Sequence, residues 1–103
     1  MAYVQTDSVY YGPNARSIDI SANSVPYDPN NFDHAYVSLI YDAQDYTLVI
    51  NTVTGMKGRT TFTNPIQILP TDMRGTYHVR VTWADASNRT LLVANSSPIY
   101  LTN

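Results

Sequence analysis

A single all-β sandwich is the fold this sequence predicts, and three observations predict it. The first is composition. The 103 residues contain no Glu, one Lys and three Gln, so the strong helix formers are scarce. Val, Ile, Thr and Tyr number 37, and these residues suit a pleated, half-buried surface. The second is periodicity. In Tyr77-His78-Val79-Arg80-Val81-Thr82-Trp83 apolar and polar residues alternate, a period of two that gives a strand one buried face. The third is punctuation, because turn residues recur at short intervals, as in sandwiches and barrels. A helical bundle or coiled coil is excluded.

The elements follow in chain order. A first strand runs from Tyr3 to Tyr11 and is closed by Gly12-Pro13-Asn14. Ile18, Ile20 and Ala22 alternate with Ser17, Asp19 and Ser21, predicting a half-buried second strand. Asn23 to Asp33 holds Pro26, Pro29 and three Asn and reads as a long loop. A third strand spans Tyr36 to Tyr41, with Val37, Leu39 and Tyr41 on one face. Asp42 to Asp45 is a hairpin loop, after which Tyr46, Leu48 and Ile50 share a face of the fourth strand. Gly55 and Gly58 bracket a turn carrying Met56 and Lys57. Arg59 to Thr63 is strand-like, and Pro65 marks an edge or bend before Ile66 and Ile68. After the Tyr77–Trp83 strand and an Asp85–Asn88 turn, Leu91 and Val93 begin another strand. Pro98 bends the chain before Ile99 and Leu101. The total is seven or eight antiparallel strands in one domain, residues 1–103.

Composition also bounds function. Leu, Ile, Val and Phe make up 24 residues and the net charge is only −2, so the chain should fold. Without Cys there are no disulfides, thiolate zinc sites or Cys nucleophiles. No apolar run is long enough for a membrane-spanning helix. Met1 to Tyr11 lacks the basic-then-apolar layout of a signal peptide, which leaves open that one was removed. The weakly acidic chain lacks the basic footprint of a nucleic-acid binder.

The segment Asp72-Met73-Arg74-Gly75-Thr76-Tyr77-His78-Val79 resembles the tyrosine corner of immunoglobulin-like domains. There the Tyr hydroxyl bonds back to upstream backbone, and Val79 stands where such a domain has its second Cys. Leu69-Pro70 before that Tyr, and Ser96-Ser97-Pro98-Ile99 opening the last strand, resemble fibronectin type III domains. The whole pattern resembles the fungal Ser/Thr-rich anchored cell-wall domain of the Kre/Knh type: Cys-free strands, a Gly-x-Tyr-x-Val-x-Val strand at Gly75–Val81, and a terminal Ser-Ser-Pro strand. The likeness covers roughly the last two-thirds of the chain. It departs from the family in its only Trp, Trp83, which falls late. The resemblance implies an immunoglobulin or fibronectin III-like sandwich at a cell wall or cell surface. The role itself must be argued from a site.

Little in the sequence points to catalysis. His34 and His78 are the only imidazoles, and His78 lies on the outward face of its strand. There is no Gly-x-Ser-x-Gly elbow and no His-Glu-x-x-His, and nothing selects a pair of Asp for glycoside hydrolysis. No catalytic residue and no cofactor is expected. Asp28, Asn30 and Asp33 are oxygen donors of the kind Ca²⁺ takes, but the same spacing suits an Asx-turn, which is the favoured reading. Asn88-Arg89-Thr90 and Asn95-Ser96-Ser97 are glycosylation acceptors, Asn88 in a turn being the better placed.

The nine Tyr carry more information. A Tyr joins an apolar ring to a polar tip, and beside Asn and Asp it suits sugars or protein partners. Tyr27, Asp28, Asn30, Asn31 and Tyr36, on the long loop and its exit, are the candidate contacts. Charged residues make up 14%, against the usual ~25%, and a single Lys leaves strand edges poorly protected, so self-association is expected. The sequence thus predicts a non-enzymatic, secreted or cell-wall binding module with carbohydrate as its ligand, a lectin in effect. The alternative is a structural or immunomodulatory protein acting through protein contacts and homodimer formation.

Overall fold

The computed structural model describes all 103 residues. Nine strands form two sheets: β1 (Tyr3–Thr6), β2 (Tyr10–Tyr11), β3 (Ser17–Asn23), β4 (His34–Tyr41), β5 (Tyr46–Thr54), β6 (Thr61–Gln67), β7 (Gly75–Ala84), β8 (Thr90–Asn95) and β9 (Ile99–Leu101). One sheet has the order β1-β3-β6. The other runs β2-β9-β7-β4-β5, with β8 also on β7. The all-β sandwich is therefore as expected.

The strand count and the uniformly antiparallel arrangement need correction. The segment expected to be one strand, Tyr3 to Tyr11, divides between the two sheets. β1 pairs with β3 antiparallel, and β2 pairs with β9 in parallel. Asp7 makes the crossing. Its backbone N–H donates to Asp19 O at 2.9 Å, and its carboxylate accepts from Asp19 N at 3.1 Å and from the Tyr11 hydroxyl at 2.6 Å. That hydroxyl also accepts from Ser8 N at 3.0 Å. Burial, and then the Asp7 carboxylate, hold the Tyr11 phenol far above its ordinary range. A second division lies at Ser97-Pro98. β8 covers Arg80–Ala84 and β9 covers Gly75–Tyr77, with Ser96 bridging them through Val79.

The core follows the period of two. Tyr77, Val79, Val81 and Trp83 of β7 are fully buried, as are Ala35, Val37 and Leu39 of β4 and Ile18, Ile20 and Ala22 of β3. β5 departs from it. A bulge shifts the β4–β5 register between Leu39 and Ile40, pairing Leu39 with Val49 but Ile40 with Thr47. Alternation reverses there on β5, where Ile50 is 61% exposed while Val49, Asn51 and Val53 turn partly inward; β4 keeps its register with β7, so Tyr41 stays with Val37 and Leu39 on the core face and Ile40 is buried on the opposite one. Tyr46, Leu48 and Ile50 thus do not form the continuous inner face that simple alternation gives. Pro65 does mark an edge, since β6 pairs only with β3.

Tyr77 closes the corner before β7, its hydroxyl donating to Met73 O at 2.7 Å. Burial, then the Asp72 charge, raises its pKa. Between them Gly75 has φ 141°, and a Cβ there would lie 2.9 Å from Tyr41 Cε1. The motif read from the sequence is thus a backbone-anchored tyrosine with a glycine fitted beneath a neighbouring ring.

Candidate functional site

Three connections meet at one end of the sandwich: β3–β4 (24–33), β5–β6 (55–60) and β7–β8 (85–89). Backbone hydrogen bonds stitch them together. Gly58 N donates to Pro29 O at 3.0 Å, Met56 N to Asp33 O at 3.2 Å, and Asp33 N to Ala84 O at 2.8 Å. Phe32 and Met56 are buried beneath the loops and anchor them to the core. Gly55 and Gly58, with φ of 69° and 76°, let the middle loop turn tightly enough to reach both neighbours.

Each loop is also braced internally. Asp28 caps a single 3₁₀ turn at Pro29–Asn31, its carboxylate accepting from Asn30 N at 2.9 Å. Asp85 organises the last loop: its carboxylate accepts from Ser87 N at 3.0 Å, Arg89 N at 2.9 Å and Arg89 Nε at 2.9 Å. The Arg89 N–H, followed by the guanidinium, holds that carboxyl below the usual carboxylate range. The loops enclose an open cleft of about 480 Å³ lined by Asn30, Asn31, Asp33, Lys57, Ser87 and Arg89, with Asp85 at its wall. Amide, carboxylate, hydroxyl, ammonium and guanidinium groups line one concave surface.

The sequence matches no protein-family model, and no curated protein is a significant relative of it.

Beside the cleft a second cluster ties two loops together. His34 Nδ1 lies 2.9 Å from Asp33 Oδ2 and His34 Nε2 lies 2.8 Å from Asn88 Oδ1, which also accepts from the Tyr36 hydroxyl at 2.9 Å. The Tyr36 and His34 rings meet edge to face at 5.0 Å. Asn88 sits at φ 63°, a conformation Asn tolerates. An imidazole between two acceptor oxygens is best satisfied with both nitrogens protonated. The hydrogen bonds His34 donates to Asp33 first, then to Asn88, raise its pKa. A pKa raised on folding makes this latch strongest below the unfolded value of 6.5 and releases it as pH rises through the folded value. In an NMR titration the His34 ring should titrate above 6.5 and shift downward in Asp33→Asn. Protection of the Asn88 amide, corrected for the intrinsic pH dependence of exchange, should fall as pH rises through the folded pKa of His34.

The sequence-predicted contacts divide over three places. Asn30 and Asn31 line the cleft. Asp28 stands behind it as a cap. Tyr36 lies on the outer sheet face and reaches the site only indirectly, through Asn88 and the His34 ring. Tyr27 lines a separate, mostly apolar cleft with Met1, Pro26 and Leu92. Asp28, Asn30 and Asp33 do not converge as a cation cage: the Asp28 carboxylate holds the turn and the Asp33 carboxylate pairs with His34. No group of three or more His, Cys, Asp or Glu comes together. His78 pairs with Asp42, and neither imidazole is hydrogen-bonded to a Ser hydroxyl. Of the glycosylation acceptors, Asn88 is held in the latch and Asn95 accepts from Arg80 Nε at 3.1 Å.

Sequence reading missed Lys57, Asp85, Ser87 and Arg89. Two signals pointed to them. The only Lys of the chain stands between two turn glycines, and an Asp heads the turn after the clearest strand.

Proposed function

We propose that this chain is a non-enzymatic, secreted binding module of the immunoglobulin or fibronectin III kind whose three-loop cleft takes carbohydrate. The observation that carries this reading is the cleft itself. Its polar groups converge, and the backbone bonds between the loops hold them in place before any ligand arrives. A sugar hydroxyl both donates and accepts, so a mixed wall of Asn, Asp, Lys and Arg matches it, and the two signs of charge oppose selection for a simple ion. The Gly75–Val81 strand and Ser96-Ser97-Pro98 support a fungal cell-wall setting by resemblance.

A glycan array tests the proposal. Sugar-competed, dose-dependent binding is expected, and Asn31→Ala and Lys57→Ala should each weaken it about tenfold, the effect of losing one charge-assisted or bidentate hydrogen bond. Melting should be unchanged, because neither side chain makes an intramolecular hydrogen bond. Silence across the array would reject carbohydrate in favour of a second reading, a structural or immunomodulatory role through protein contacts and self-association. The low charge of the chain and one unusually bare strand edge support that second reading.

A further inference from the structure

We infer that β5 is a self-pairing edge, through which two copies of this chain join their larger sheets into one continuous sheet. This deepens the self-association reading and does not depend on the loop cleft.

The strand edges of the molecule differ in how they are protected. β1 has four residues and β2 has two. β6 carries Pro65 in mid-strand. β8 faces a cleft walled by Met1, Ala2, Pro26 and Tyr27. β5 is nine residues long, Tyr-Thr-Leu-Val-Ile-Asn-Thr-Val-Thr, with no charge and no Pro. It pairs only with β4. None of the backbone hydrogen bonds outside the ladders involves residues 46–54, so the row of N–H and C=O groups on its far side is unpaired. A single side chain, Asn51, tethers it to the other sheet, donating to Asn64 Oδ1 at 3.0 Å and Pro65 O at 3.2 Å. The bulge near Leu48 disturbs only the first part; Val49–Thr54 keeps an unbroken register with His34–Leu39.

Such an edge is a template for another strand. The chemistry of β5 selects a second β5. A charged partner edge would place its charges against uncharged side chains that cannot pair with them, whereas a two-fold axis sets β5 antiparallel to itself, satisfying both unpaired rows at once. In any register every apposed side chain is uncharged, so no like-charge pair arises. Pairing would also cover Ile50, which is 61% exposed in the single copy. The net charge of −2 per copy adds little repulsion.

A strand-edge interface is small and should be concentration-dependent, so light scattering from roughly 10 µM to 1 mM is the test. The mass should climb from 11.5 kDa toward twice that value. Ile50→Lys and Thr52→Lys, both on exposed side chains, should hold the chain at one copy with unchanged circular dichroism and melting. Val93→Lys, on the outer face of β8, should leave association intact. Amides of Val49–Thr54 should gain protection from hydrogen exchange as concentration rises. A wild-type chain that stays monomeric at the highest concentration overturns the inference. So does a dimer that survives both β5 lysines or that Val93→Lys abolishes. If the lysine variants misfold, the exchange experiment on the unaltered chain decides. Glycan binding should survive the β5 lysines, and Asn31→Ala should leave the mass unchanged, so the two proposals fail separately.

Discussion

Trp83→Ala is expected to destabilise the domain by about 3–5 kcal/mol, the range for truncating a fully buried Trp. Trp83 has no exposure and lies between two aromatic neighbours, Phe32 at 6.1 Å and Phe62 at 6.2 Å between ring centroids. Phe62 belongs to the opposite sheet, and Phe32 anchors the loop bearing Asn30 and Asn31. The indole thus joins sheet to sheet and core to cleft. A domain of this size has a total stability of ~5–15 kcal/mol, so the variant should be largely unfolded at modest urea. Trp83→Phe should lose much less, about 1–2 kcal/mol. The indole Nε1 is buried with no hydrogen-bond partner, and the substitution removes that penalty while keeping a ring. Urea denaturation of both variants checks the ordering; equal losses would mean that the ring kept by Phe recovers none of the packing made by the indole.

The second large effect lies at the corner before β7. Gly75→Ala is expected to cost about 2–3 kcal/mol, from backbone strain at a positive φ plus a contact with the Tyr41 ring. Tyr77→Phe should cost about 1–2 kcal/mol, because it deprives the Met73 carbonyl of its donor. The two should not add. A Cβ at Gly75 displaces Tyr41, whose ring lies 5.1 Å from that of Tyr77. A double-mutant cycle should therefore show coupling of about 0.5–1 kcal/mol. Simple additivity would show that the two rings respond independently.

Where local chemistry decided the structure, the sequence was legible. The Tyr77–Trp83 alternation, the Asp72–Val79 corner and the Asp28 turn each depend on residues close in the chain, and each is found. Misreadings arose where distant contacts decided. Asp7 and Asp19 are twelve residues apart, and their pairing breaks the first strand. The β4–β5 bulge reverses a face although neither strand contains a Gly to signal it. The candidate site was half legible. Asn30 and Asn31 stand in a loop whose composition suggested binding. Lys57 and Arg89 join them only because three connections far apart in sequence share one end of the sandwich.

The parallel pairing of β2 with β9 has a mechanical consequence. Tension applied between the two ends of the domain pulls β2 and β9 in opposite directions along their common axis. Their hydrogen bonds, such as Tyr100 N to Val9 O and Thr102 N to Tyr11 O, both 2.8 Å, are then loaded together in shear instead of opening one after another. The Tyr10 and Tyr100 rings, stacked at 5.4 Å, slide against one another under the same load. Crossing from one sheet to the other thus makes the first eleven residues a clasp against stretching, with Asp7 as its catch.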